Sequence, residues 1–136
     1  MRSRLTLVAA LGVLALLGLV YLAKNDPEGG APYPKCVFRE VTGLHCAGCG
    51  STRAVHALLQ LEVGTAFGKN PLLVVALPFL VVGIAMEGAA WVLGDRYGGP
   101  RVRLSMFFAW LVPVLIFGFW ILRNVPVSPF TLLAPH

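Results

Sequence analysis

Cys36, Cys46 and Cys49 are the residues of this sequence best suited to chemistry. All three fall in one polar stretch, Cys36-Val-Phe-Arg-Glu-Val-Thr-Gly-Leu-His-Cys-Ala-Gly-Cys-Gly-Ser-Thr-Arg53. The Cys46–Cys49 pair has C-x-x-C spacing. Two intervening residues let both sulfurs face one point about 3.5–4 Å apart, which suits a metal with Zn–S bonds of about 2.3 Å. The same spacing suits a disulfide. Cys36 offers a third sulfur, and His56 (or His45) a fourth ligand; a Cys₃His set suits zinc. Gly48 and Gly50 permit positive φ, so backbone N–H groups can turn toward the sulfurs. The spacing predicts a helix over Ser51–Leu61 with Ser51 or Thr52 as N-cap, and its positive end faces the turn. Arg53 lies one turn further along. Together these features predict a lowered thiol pKa for Cys49.

Three readings of the turn stand side by side. In the first it binds a metal such as zinc. In the second it is a thiol–disulfide module at the membrane surface, with Cys46 or Cys49 as nucleophile. A thioredoxin-like pattern is absent, so such chemistry would be membrane-embedded. In the third it is a structural staple in an accessory subunit of a membrane complex. The odd cysteine count leaves one thiol over after a single disulfide, unless a metal or partner takes it. No catalytic residue is assigned.

Other residues have plainer alternatives. Arg53 suits a phosphate headgroup or a pair with Glu40 or Glu62, and equally an interfacial side chain snorkelling to water. Lys69 reads the same way. His56 on a half-apolar helix suits an interfacial histidine as well as a ligand. Glu87 is an ionisable residue inside an apolar run, which by default marks function. It also lies within two turns of the run's end near Arg96, where snorkelling or a pair with a loop arginine accounts for it. Ala85 and Ala89 form a small-x-x-x-small pair suited to close helix packing.

The elements that position the turn follow from composition. The chain has 136 residues, 57% hydrophobic and 12% charged, and a mean hydropathy of +0.79. Ordinary soluble domains are about 45–50% apolar and about 25% charged. A domain of this size cannot bury so much apolar surface on its own, which excludes a soluble enzyme, a disordered chain and a disulfide mini-protein. Three apolar runs predict spanning helices at residues 5–23, 71–93 and 104–122. The first, at about 1.5 Å per residue, is close to the ~30 Å hydrocarbon core. It exceeds a signal-peptide h-region, and Tyr21-Leu22-Ala23 is a poor cleavage site, so it reads as an uncleaved anchor. Asn70 is the expected N-cap of the second span and Pro71 its first helical residue. Pro78 and Pro113 lie inside the second and third. The fold class is therefore an all-α integral membrane protein, residues 1–136 as one membrane domain, with a short interfacial amphipathic helix after the cysteine turn. Val55, Leu58, Leu59 and Leu61 of that helix are expected to face the membrane.

The formal net charge is +5, but the basic residues form no helix face suited to nucleic acid. Arg2 and Arg4 precede the first span, and Arg96, Arg101 and Arg103 fill the loop between the second and third. With three spans both groups share a side, and the positive-inside bias makes that side cytoplasmic. The 24–70 loop and the C-terminus are then extracytoplasmic, although Lys24, Lys35, Arg39, Arg53 and Lys69 in the loop dilute the bias. The expected partners are the lipid bilayer and other membrane proteins or a second copy.

The run Cys-x-Phe-x-x-x-Thr-Gly-x-x-Cys-x-Gly-Cys-Gly-x-Thr-Arg-Ala, followed by Asn70-Pro71, resembles a family of small bacterial membrane proteins known as a domain of unknown function. Its signature is Cys-Pro-Gly-Cys-Gly-x-Thr-Arg, with an upstream Thr-Gly and a downstream Asn-Pro opening a membrane helix. The resemblance covers about residues 36–72. This chain departs from it at Ala47, where the family usually has proline, and at His45, where proline is frequent. The resemblance implies a fold and a bacterial inner-membrane home, and no activity.

Overall fold

The computed structural model describes residues 2–29, 33, 36–101 and 105–133. Lys35, Arg103 and Leu104 lie outside the described residues. Six α-helices follow in order: α1 (Arg2–Lys24), α2 (Val37–Thr42), α3 (Ser51–Leu59), α4 (Val63–Lys69), α5 (Pro71–Leu93) and α6 (Met106–Arg123). Short 3-10 turns occupy Gly94–Arg96 and Phe130–Leu133, and no strand occurs among the described residues.

Three segments, Ser3–Lys24, Pro71–Arg96 and Met106–Arg123, are long and apolar enough to cross a membrane. The three expected spans are therefore present, the third reaching one residue further, to Arg123. Their large side chains are turned outward: Leu14 is 64% exposed, Ile84 71% and Trp110 68%. In water such a surface would drive aggregation; in lipid it is the expected exterior of a span. By the length and composition of these helices the chain is a membrane protein. Glu87 is exposed on α5, roughly 24 Å along the helix from Pro71.

Packing concentrates at one end. The buried cluster is Ala54, Ala57 and Ala66, with Leu58, Leu73 and Val74 packed against it. Small residues let α3, α4 and the start of α5 approach closely. Leu58 therefore turns inward, against the expectation that it faces the membrane. Leu61 is 88% exposed and takes φ +64, where a glycine usually sits. That conformation closes the α3–α4 turn, with the Leu61 N–H donating to the Leu58 carbonyl and the Glu62 N–H to the Ala57 carbonyl.

Both ends of α1 are tied down. Arg4 donates to the Trp91 carbonyl at 3.1 Å and lies 5.4 Å over the Trp91 ring. At the other end, Gln60 donates to the Ala23 carbonyl at 2.9 Å. Thus α1 and α5 run antiparallel. The end of α1, the cysteine stretch, the start of α5 and the end of α6 all meet on one side.

Asn70 joins these parts. It is 1% exposed. Its Oδ1 caps α5 by accepting from the Leu73 N–H at 3.1 Å, and Pro71 takes the first helical position, as expected. Its Nδ2 donates to the Ala47 carbonyl and to Ser51 Oγ, each at 3.0 Å. Asn70→Ala removes the α5 cap and the bonds to the Ala47 carbonyl and Ser51 Oγ, while Arg123 still reaches that carbonyl, a loss of about 1–2 kcal/mol, chiefly that of the cap. Asn70→Asp keeps the cap and is expected to fall between. Unfolding in detergent measures both, and an Asn70→Ala protein as stable as wild type contradicts this account.

Candidate metal centre

The three cysteines converge. Cys36 Sγ lies 3.4 Å from Cys46 Sγ, and Cys46 Sγ lies 3.2 Å from Cys49 Sγ. All three sulfurs sit within 4.8 Å of one another, a grouping close enough to hold a metal ion. Each is placed by a different local feature. Cys36 is the N-cap of α2, a short helix inside the stretch expected to be loop. Gly43, at φ +73, ends that helix and turns the chain back. Cys46–Cys49 is a tight turn, closed by the Cys49 N–H to the Cys46 carbonyl at 3.1 Å. The Cys46 N–H in turn points at Cys49 Sγ at 3.3 Å.

Gly50 is the N-cap of α3 at φ +82, with no side-chain cap bond. This corrects the expected cap at Ser51 or Thr52. Ser51 is already helical, and its hydroxyl serves Asn70 instead. Gly48 has no positive φ among those of the described residues. A Cβ there would meet Cys46 Sγ at 3.9 Å and Ser51 Oγ at 4.0 Å, ordinary contacts. Only Gly50 of the two therefore needs glycine.

The end of α6 grips the turn through backbone atoms. Asn124 Oδ1 accepts from the His45 N–H at 2.8 Å. Its Nδ2 donates to the His45 carbonyl and to the Trp120 carbonyl, both at 2.8 Å. Arg123 donates to the Ala47 carbonyl at 3.4 Å and to the Lys69 carbonyl at 2.9 Å. Sequence reasoning missed both residues. Their signal, a polar pair immediately after an apolar run, also fits an ordinary interfacial flank.

Neither histidine joins the sulfur group. His56 Nδ1 lies 2.7 Å from the Leu22 carbonyl, so its ring ties α3 to α1. His45 is held by its backbone, and its ring Nδ1 is buried without a partner. Burial pushes the His45 imidazole below its ordinary value, and the Arg39, Arg123 and Arg53 charges add to the effect. Arg53 pairs with neither Glu40 nor Glu62. It donates to Glu28 at 3.1 Å, and Lys69 donates to the same oxygen at 2.7 Å. Hydrogen bonds from Lys69 first and Arg53 second hold the Glu28 carboxyl below its usual range. Thr52 and Arg53, with Cys36, Cys49, Arg39 and Glu40, line a cleft of about 740 Å³ beside the sulfurs.

The thiols differ in the opposite sense from that expected. Cys49 is 6% exposed. Burial first, then hydrogen bonds with the Cys46 and Cys36 thiols, push its thiol up to about 11. The helix start and Arg53 do not offset this, because Arg53 is turned to Glu28. Cys36 is held below its ordinary value, chiefly by the Arg39 backbone amide in the first turn of α2, although no closed cap bond forms there. Thiolate character is therefore greater at Cys36 than at Cys49.

Residues 36–84 match the family model described as "Protein of unknown function (DUF2752)". The match takes in the three cysteines, α2 to α4 and the first part of α5. It leaves out α1 and α6, hence Arg123 and Asn124. No curated protein and no solved structure matches the chain.

The unequal thiols predict an order of reaction. In reduced, metal-free protein, iodoacetamide modifies Cys36 before Cys49, since thiolate is the reacting form. The Cys36 rate levels off below the usual thiol range. The Cys49 rate still climbs beyond pH 10, because its thiol titrates near 11. Mass spectrometry of alkylated peptides across pH reads this directly, and Cys49 reacting first at neutral pH contradicts it.

Proposed function

We propose that this membrane protein binds a soft divalent metal, zinc above others, through Cys36, Cys46 and Cys49. The observation that carries the reading is the meeting of three sulfurs from two separate turns within 4.8 Å. Sulfur-rich sets favour zinc and other soft ions over hard cations. The His56 ring is engaged with the Leu22 carbonyl, and neither histidine ring is grouped with the sulfurs, so the fourth position falls to water or to a ligand entering from the cleft beside Cys36 and Cys49. A site with three protein ligands and one open position exchanges ligands, whereas a closed site is structural.

The sulfur separations support a second reading. Both 3.2 Å and 3.4 Å are shorter than the roughly 3.8 Å edge of a tetrahedron with 2.3 Å Zn–S bonds. Cys46 is common to both close pairs, and the Cys36 thiol is held below its ordinary value. In its oxidised form a thiol–disulfide module would thus work by attack of the Cys36 thiolate on a Cys46–Cys49 disulfide, forming the Cys36–Cys46 bond, breaking the Cys46–Cys49 bond and releasing Cys49, which takes up a proton.

The orientation we propose has the Arg4 end of α1 in the cytoplasm and the cysteine turn outside. Its support is the arginine-rich short flanks together with the Arg4–Trp91 contact, which puts the start of α1 beside the end of α5.

Two measurements check these proposals. Protein purified anaerobically in detergent should carry about one zinc per chain, with its thiols appearing only after chelation. No metal and a single free thiol would replace the metal reading with a disulfide. In intact cells, after reduction and chelation, an impermeant maleimide should label Cys36. Labelling only after lysis would reverse the orientation.

A further inference from the structure

Arg123 is 2% exposed, and its guanidinium cannot shed its proton. Its hydrogen bonds go to neutral carbonyls, those of Ala47 and Lys69. Its Nε is buried with no partner, and Phe119 covers one face at 5.3 Å. The ion pairs at Glu28 are made with Arg53 and Lys69, and Arg123 is in neither. A buried charge left uncompensated is costly, so this cation calls for an anion close by. Ala47, whose carbonyl it holds, lies between Cys46 and Cys49 in the turn.

We propose that Arg123 is the counter-cation of a three-thiolate, divalent-metal centre. The inference rests on the metal reading above and deepens it. Three thiolates and one divalent ion leave one net negative charge, and one guanidinium cancels it. When the neutral thiols release three protons and take up M²⁺, the site changes from zero to minus one. Arg123 favours that product. It touches the turn rather than the metal, so it is a positioning residue, set at the end of α6 and outside the segment that holds the cysteines.

The test uses the full chain in detergent, reduced and stripped of metal, with Cd²⁺ as the probe and the thiolate–cadmium absorbance as the readout. Arg123→Gln removes the charge, and Arg123→Lys keeps it while losing the paired carbonyl bonds. Arg123→Gln is expected to weaken Cd²⁺ binding about tenfold or more, in line with close charge pairs. Arg123→Lys is expected to stay within about threefold of wild type. Helical circular dichroism identifies a variant that fails to fold; if Arg123→Gln does, Arg123→Lys decides alone. Wild-type affinity in Arg123→Gln, or a loss in Arg123→Lys as large as that in Arg123→Gln, overturns the counter-cation role. Absence of the cadmium band in wild type overturns the metal reading itself, and this inference with it.

Discussion

The carbonyl of Ala47 is the point on which the arrangement depends. It accepts from Asn70, at the head of α5, and from Arg123, at the foot of α6. One backbone oxygen thereby joins two membrane helices to the loop that carries the cysteines. Outside lipid, a loop of this length would sample many conformations, and fixing each residue costs about 1–2 kcal/mol of entropy. Here the loop's backbone polar groups are met by side chains from the spans, which hold it where water competes poorly.

The spans and the turn depend on each other. The apolar helices bury little against one another and are solvated by lipid. Their polar ends, Asn70, Arg123 and Asn124, direct the donors and acceptors that water would otherwise satisfy. The small buried cluster of Ala54, Ala57 and Ala66 lets α3 and α4 lie close enough to α5 for Asn70 to reach the turn. Lys69 and Arg53 share Glu28, which fixes the linker leaving α1. The result is a three-sulfur pocket backed by a buried cation and open to a cleft.

Much of the fold is legible in the sequence because its signals are large and local. The three apolar runs and the Asn70-Pro71 helix start depend on length, polarity and capping chemistry, and the structure keeps all of them. The convergence of Cys36 with Cys46 and Cys49 is legible as a cluster, though not as geometry. Local signals give way where tertiary partners reassign side chains. Ser51 serves Asn70 rather than a cap, Arg53 pairs with Glu28, and His56 reaches the end of α1. At Cys49 burial outweighs the helix start that the sequence places beside it. Asn124 and Arg123 have partners 79 and 76 residues away, a separation that no local pattern encodes.

The most direct test of the central claim is X-ray absorption at the edge of the metal that copurifies with the protein. A three-thiolate centre predicts three sulfur scatterers at about 2.3 Å and one lighter atom at about 2.0–2.2 Å. A shell made only of oxygen and nitrogen would contradict the account.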